Sequence, residues 1–175
     1  MGDGHLVSIA AFLLLPFCLS LAAFTDLFTM TIPNRVSLAL LISYFAVAFA
    51  LGMDLNTIGM SVVAGLVIFS ICFALFALNV MGGGDAKLLT ACALWFGFNT
   101  SLLTFMICVA LLGGILTIAI LLLRSRAQEI MVTGLRVPDS LLVAKKVPYG
   151  IAIAAAGLLT YPETPIVQLA MQHMM

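Results

Sequence analysis

The stretch Asn79-Val80-Met81-Gly82-Gly83-Gly84-Asp85-Ala86-Lys87-Leu88-Leu89 sets three glycines, an acid and a base between long apolar runs. A carboxylate there needs a reason, because only 8% of the 175 residues are charged and 64% are hydrophobic. Soluble domains average about 25% charged residues. The composition is that of an all-α integral membrane protein.

Crossing a hydrocarbon core of about 30 Å takes roughly 20 residues of helix. Leu6 to Phe24, Val36 to Met53 and Thr57 to Leu78 precede the glycines and meet this length closely. Beyond them, Leu88 to Phe98 is short, Leu102 to Leu123 is full length, and Val147 to Tyr161 is short but uncharged. The expected fold is therefore a single polytopic domain over residues 1–175 with six transmembrane helices.

All seven basic residues fall in alternate gaps: Arg35 after the first run, Lys87 after the third, and Arg124, Arg126, Arg136, Lys145 and Lys146 after the fifth. Lys and Arg in short loops concentrate on the cytoplasmic side. Both termini are thus expected outside the cytoplasm. The loop from Arg124 to Lys146 also holds Glu129 and Asp139. Its basic excess suits an interfacial segment beside anionic lipid, at about 1 kcal/mol per Lys or Arg, with contact to a substrate as the alternative.

Met1 to His5 carries an acid and no Lys or Arg, so the first run reads as a retained helix rather than a cleavable signal. Cys18, Cys72, Cys92 and Cys108 are isolated inside apolar segments and read as small hydrophobes. His5 and His173 lie in opposite tails. No metal, cofactor or nucleic-acid partner is expected.

Of the seven acidic residues, five have ordinary addresses in tails, turns or the long loop. Asp26 and Asp85 do not. Asp26 lies on or just beyond the last turns of the first run, and Asp85 opens the fourth. They are 59 positions apart in sequence, yet the topology puts both at the cytoplasmic end, where they can meet. Acids at membrane depth are costly and usually face a partner or a cavity.

Each has a plain structural reading as well. Asp85 after glycines suits a helix N-cap and the positive end of the dipole. Asp26 can be a solvated loop acid, although a carboxylate near a helix C-terminus is disfavoured. Together they suit general acid and base work: two carboxyls sharing a small site do not both ionise readily, so one holds a proton while the other accepts one. The helix N-terminus suits Asp85 to the charged role, but the two titrate as a coupled pair and the order stays open.

Gly82 to Gly84 can take conformations closed to other residues and admit a second backbone closely; a flexible inner loop is the simpler reading. Lys87 can tune Asp85 or merely reach back to the interface. Gly150 with Ala154, and Ser61 with Gly65, are spaced for close helix packing.

These residues resemble a known family. Gly82-Gly83-Gly84-Asp85 fits the G-x-G-D motif of membrane aspartyl proteases, and GGGDAKLLTACALWFG is similar to the signature of type IV prepilin peptidases. Asp26 with Ile32-Pro33-Asn34, and Val147-Pro148-Tyr149-Gly150-Ile151-Ala152-Ile153-Ala154, resemble its other two landmarks.

The resemblance implies an aspartyl endopeptidase of the bacterial inner membrane, with Asp26 and Asp85 catalytic and Gly82, Gly83, Gly84, Lys87, Pro33 and Asn34 in support. Its substrates would be prepilins or pseudopilins, cut after a short basic leader at the cytoplasmic face. Membrane lipid is a further expected partner, and the pilus assembly machinery is one that the resemblance allows. The paired cysteines that larger members carry near the N-terminus, associated with methylation, are lacking. The chain resembles the short form of tight-adherence or Flp-type pili, and no methyltransferase activity is expected. A small proton-coupled transporter is the alternative, since acids in broken helices also couple ions.

Overall fold

The computed structural model describes residues 2–126 and 147–174. Among them the chain is helical throughout, with short turns: α1 (Gly2–Thr29), α2 (Asn34–Ala50), α3 (Leu55–Ala77), α4 (Gly83–Phe96), α5 (Thr100–Ser125), α6 (Gly150–Thr160) and α7 (Pro165–Met174). A 3₁₀ turn, Tyr161–Glu163, joins the last two. The basic stretch with Glu129, Arg136, Asp139, Lys145 and Lys146, expected at the interface, lies outside the described residues.

Three helices are long and apolar enough to cross a membrane: His5–Thr29, Leu55–Ala77 and Thr100–Ser125. The pair α6 and α7, bent by 45° at its break, makes up to a fourth. The long helices are apolar on two faces for two reasons. Leu103, Ile107, Leu111, Ile115, Ile118 and Leu122 form an exposed stripe along α5 at steps of three and four residues, suited to lipid rather than to a core. On α1 the exposed side chains include Leu6, Leu13, Phe17, Phe24 and Phe28, while Ala11, Leu15, Cys18, Leu19 and Ala22 are buried. Asp26 continues the buried stripe.

The short α4 is the centre of the molecule. Its 14 residues span about 21 Å, too little for a bilayer. From Leu88 to Phe96 every residue but the half-buried Thr90 is buried, enclosed by α3, α2 and α6, so its length is matched to protein rather than to lipid. Gly97 ends it with φ +66°. Asn99 then caps α5, accepting from the Ser101 N–H at 2.8 Å, and the Ser101 hydroxyl donates to the Phe96 carbonyl at 2.8 Å. The terminal carbonyl of α4 is thereby satisfied below Pro165 of α7, which lies over Gly97.

Aromatic side chains fix α4 laterally. The buried Trp95 donates from Nε1 to the Leu40 carbonyl of α2 at 3.0 Å and meets Tyr44 edge-on at 6.1 Å between ring centres. Phe96 stacks on Phe105 of α5 at 4.3 Å. Against α1, α6 approaches closely through Gly157, where an added Cβ would stand 2.5 Å from Leu19 Cδ1.

At the far end from Asp26, Asp54 caps α3, accepting from the Thr57 hydroxyl at 2.6 Å and the Thr57 N–H at 3.0 Å. These bonds, the hydroxyl first, hold its carboxyl below the ordinary value. A lowered value means the stabilisation is present above the ordinary carboxyl range and is lost as pH falls through the lowered one. Asp54→Ala is expected to lower the melting temperature at neutral pH, by a gap to wild type that closes on acidification. Thermal unfolding of both proteins across pH 3 to 7 checks this.

Candidate active site

The last turn of α1 carries Asp26 on its buried face, 5% exposed. The helix stops because Met30 takes the left-handed conformation, φ 53°, with its N–H bonded to the Asp26 carbonyl at 3.0 Å. This is the single-bond αL ending, ordinarily filled by Gly or Asn. It turns the chain sharply and carries Ile32 inward, leaving the side chain buried. Pro33, exposed and extended at φ −61° and ψ 134°, is the N-cap residue of α2.

A second left-handed residue, Asn79 at φ 58°, follows α3 and opens the glycine stretch. The N-cap of α4 is Gly82, not Asp85. Asp85 sits in the first turn, half-buried, with its carboxylate folded back so that Oδ2 would stand 2.8 Å from a Cβ on Gly82. A carboxylate in the first turn retains the favourable dipole. The sequence reading as a cap is corrected by one turn, because the glycines themselves occupy the cap and the first two helical positions.

The glycines' expected conformational freedom is also corrected. None of the three has a positive φ; Gly82 is extended and the other two are helical. Close approach is what requires them. A Cβ on Gly83 would meet the Phe76 ring of α3 at 3.3 Å, and one on Gly84 would meet Ile32 Cβ at 3.2 Å. Here the second chain that comes close is the segment after Asp26.

Lys87 is exposed and donates from Nζ to Asn34 Oδ1 at 2.9 Å, tying the first turn of α4 to the start of α2. This gives Asn34 and Lys87 a joint structural task. The remaining contributor belongs to the landmark at Val147 to Ala154 and reads from sequence as a packing residue: the N–H of Gly150, at the start of α6, donates to Asp26 Oδ2 at 2.7 Å across 124 positions of sequence. Pro148 and Gly150 are buried there. Ile32 was noted only as part of a landmark, yet its Cδ1 stands 2.9 Å from where a Cβ on Gly150 would be.

Four chain segments therefore converge at one end of the bundle. Asp26 is held by Gly150, Gly150 rests on Ile32, and Ile32 rests on Gly84 beside Asp85. The signal for Gly150 in the sequence was Pro148-Tyr149-Gly150 ahead of an apolar run, a helix start whose first N–H groups lack partners within the helix. Among the described residues no three His, Cys, Asp or Glu side chains are placed to hold a metal ion. What the arrangement offers chemically is two carboxyl groups at adjoining helix ends, one oriented by a backbone amide and the other set at a helix N-terminus.

An all-helical membrane protein with its buried-stripe acid and its glycine-flanked acid at one end is the class that fold and site define. The sequence profile of the type IV leader peptidase family matches residues 13–118, more than half of the chain, and the chain belongs to that family. The matched stretch includes Asp26, Ile32 to Asn34 and Gly82 to Lys87, while Gly150 lies beyond it. No curated protein and no solved structure matches the chain.

Proposed function

We propose that this leader peptidase is an aspartyl endopeptidase that removes the short basic leader of prepilin-like proteins, using Asp26 and Asp85 to activate water. Ionised, one carboxyl takes a proton from water as the oxygen attacks the scissile carbonyl. The other, protonated, donates to the developing oxyanion. The peptide bond then breaks with proton return to the leaving amine, and the pair ends with one proton between its two members, as it began. Lys87 and Asn34 brace the first turn of α4, which carries Asp85, against the start of α2, and Gly82 leaves the space beside the Asp85 carboxylate free of a side chain.

The observation that supports this reading is the run of close approaches from Asp26 through Gly150 and Ile32 to Gly84, the residue before Asp85. The proposed topology has six spans, with α2 and the enclosed α4 counted beside the longer helices. Both termini then lie outside and the acid end faces the cytoplasm of a bacterial inner membrane, in agreement with all seven basic residues. The chain is proposed to be the short, Flp-type form. The carrier reading gains no support, since the family whose profile the chain matches is one of leader peptidases.

Co-expression with a prepilin from the same genome tests the reading. The expected result is conversion to a faster-migrating pilin when the wild-type chain is present and not when it is absent. Failure to convert any cognate prepilin would overturn it.

A further inference from the structure

The amide of residue 150 does something that packing alone does not require. The first N–H groups of a helix have no partner within it, and that of Gly150 is spent on Asp26 Oδ2 at 2.7 Å. This distance is at the short end for an N–H···O bond. It selects one oxygen of the carboxyl and so fixes the plane of the group. Only glycine permits the approach: an added Cβ would stand 2.8 Å from that same oxygen, 3.0 Å from Asp26 Cβ and 2.9 Å from Ile32 Cδ1. Gly157, about two turns further along the same face of α6, differs in kind, because its nearest obstacle is the end of the flexible Leu19 side chain.

Ile32 faces both sides. Its Cδ1 limits residue 150, while its Cβ and backbone nitrogen stand 3.2 and 3.5 Å from where a Cβ on Gly84 would be, one residue before Asp85. A single β-branched side chain, stiff at χ1, thus separates the start of α6 from the start of α4.

Building on the peptidase reading, we infer that Gly150 is a positioning residue that orients the Asp26 carboxyl through its amide, with Ile32 as the spacer between the start of α6, which holds Asp26, and the start of α4, which carries Asp85. Neither side chain touches the reacting atoms. Both act on the alignment of groups that do, for which a displacement of about 1 Å costs on the order of a hundredfold in rate.

The test uses purified full-length protein with its cognate prepilin, reading kcat, KM and melting temperature together. Gly150→Ala is expected to lower kcat about a hundredfold with KM little changed, and to lower the melting temperature. Ile32→Val removes Cδ1, so the double variant Gly150→Ala/Ile32→Val relieves the contact with Ile32 but leaves the contact with Asp26. It is expected to regain melting temperature while kcat stays low. Gly157→Ala, a packing change remote from Asp26, is expected to lower melting temperature and leave kcat in place.

Recovery of kcat together with stability in the double variant would overturn the inference, as would a Gly150→Ala enzyme as fast as wild type. Should neither Gly150 variant fold, Ile32→Ala decides, since it introduces no clash. A kcat lowered about tenfold at unchanged KM supports the spacer role, and an unchanged kcat overturns it. A wild-type protein that cuts no prepilin would instead bring down the peptidase reading itself.

Discussion

Replacing Asp85 by Asn is expected to leave the protein folded and to lower kcat for leader removal about a thousandfold or more. The amide is close in shape to the carboxyl, so the approach over Gly82 survives. What is lost structurally is the charge at the positive end of α4, on the order of 0.3–1 kcal/mol at an exposed site. What is lost chemically is a group able to take or give the reacting proton, worth about 10² to 10⁴ in rate. The chemical loss dominates. Asp26→Asn is expected to behave alike, because the Asn carbonyl oxygen can still accept the Gly150 N–H while no proton can be exchanged. If the acids served only as caps or solvated loop residues, the ranking would invert: stability would fall slightly and cleavage would persist. Kinetics and thermal unfolding on the same purified samples separate the two outcomes.

Trp95→Ala is expected to destabilise the protein by about 3 kcal/mol. Large aromatic truncations in cores cost about 3–5 kcal/mol, part of it a transfer term from water. In a bilayer that transfer term is weak, because lipid tails are as apolar as a core, while lost packing contacts remain in full. The lower end of the range therefore applies. Trp95 is 1% exposed, and its loss also strips the Leu40 carbonyl of its indole donor. Trp95→Phe fills more of the space and is expected to cost less. The consequence reaches the site, since Trp95 registers α4 against α2, and the same two helices are joined at their starts by Lys87 and Asn34. Unfolding in mixed micelles, with leader cleavage measured in parallel, checks both effects.

The parts of this molecule legible in the sequence are those where one physical demand acts alone. Asp26 and Asp85 stood out because charge is expensive at membrane depth, whatever surrounds it. The apolar runs from Leu6, Thr57 and Leu102 became helices because an unpaired backbone cannot be tolerated in lipid. Where two demands compete, the reading was partial. Leu88 to Phe98 was visibly short, but only packing reveals that α4 is enclosed and need not match the bilayer. For Gly82 to Gly84 the sequence suggests unusual conformations and the close approach of a second backbone, whereas only close approach is used, with Gly83 admitting Phe76 and Gly84 admitting Ile32, a property of neighbours distant in sequence. Gly150 was read as a packing residue for the same reason: the amide that reaches Asp26 belongs to a partner 124 positions away. The final stretch after Tyr161 held Pro162 and Pro165 and read as a tail, yet α7 packs on α1 and buries Ile166, Val167 and Ala170.

The central claim is that Asp26 and Asp85 work as one unit on one peptide bond. Residues acting as a unit lose their effect together, so removing both costs little more than removing either. Single-turnover cleavage of the cognate prepilin, with both singles and the Asp26→Asn/Asp85→Asn double variant, measures this directly. The account predicts three rates equally depressed, with the leader junction the only bond cut by wild type. Cleavage at close to the wild-type rate in either single variant, or a double variant slowed by the product of the two single effects, would contradict it.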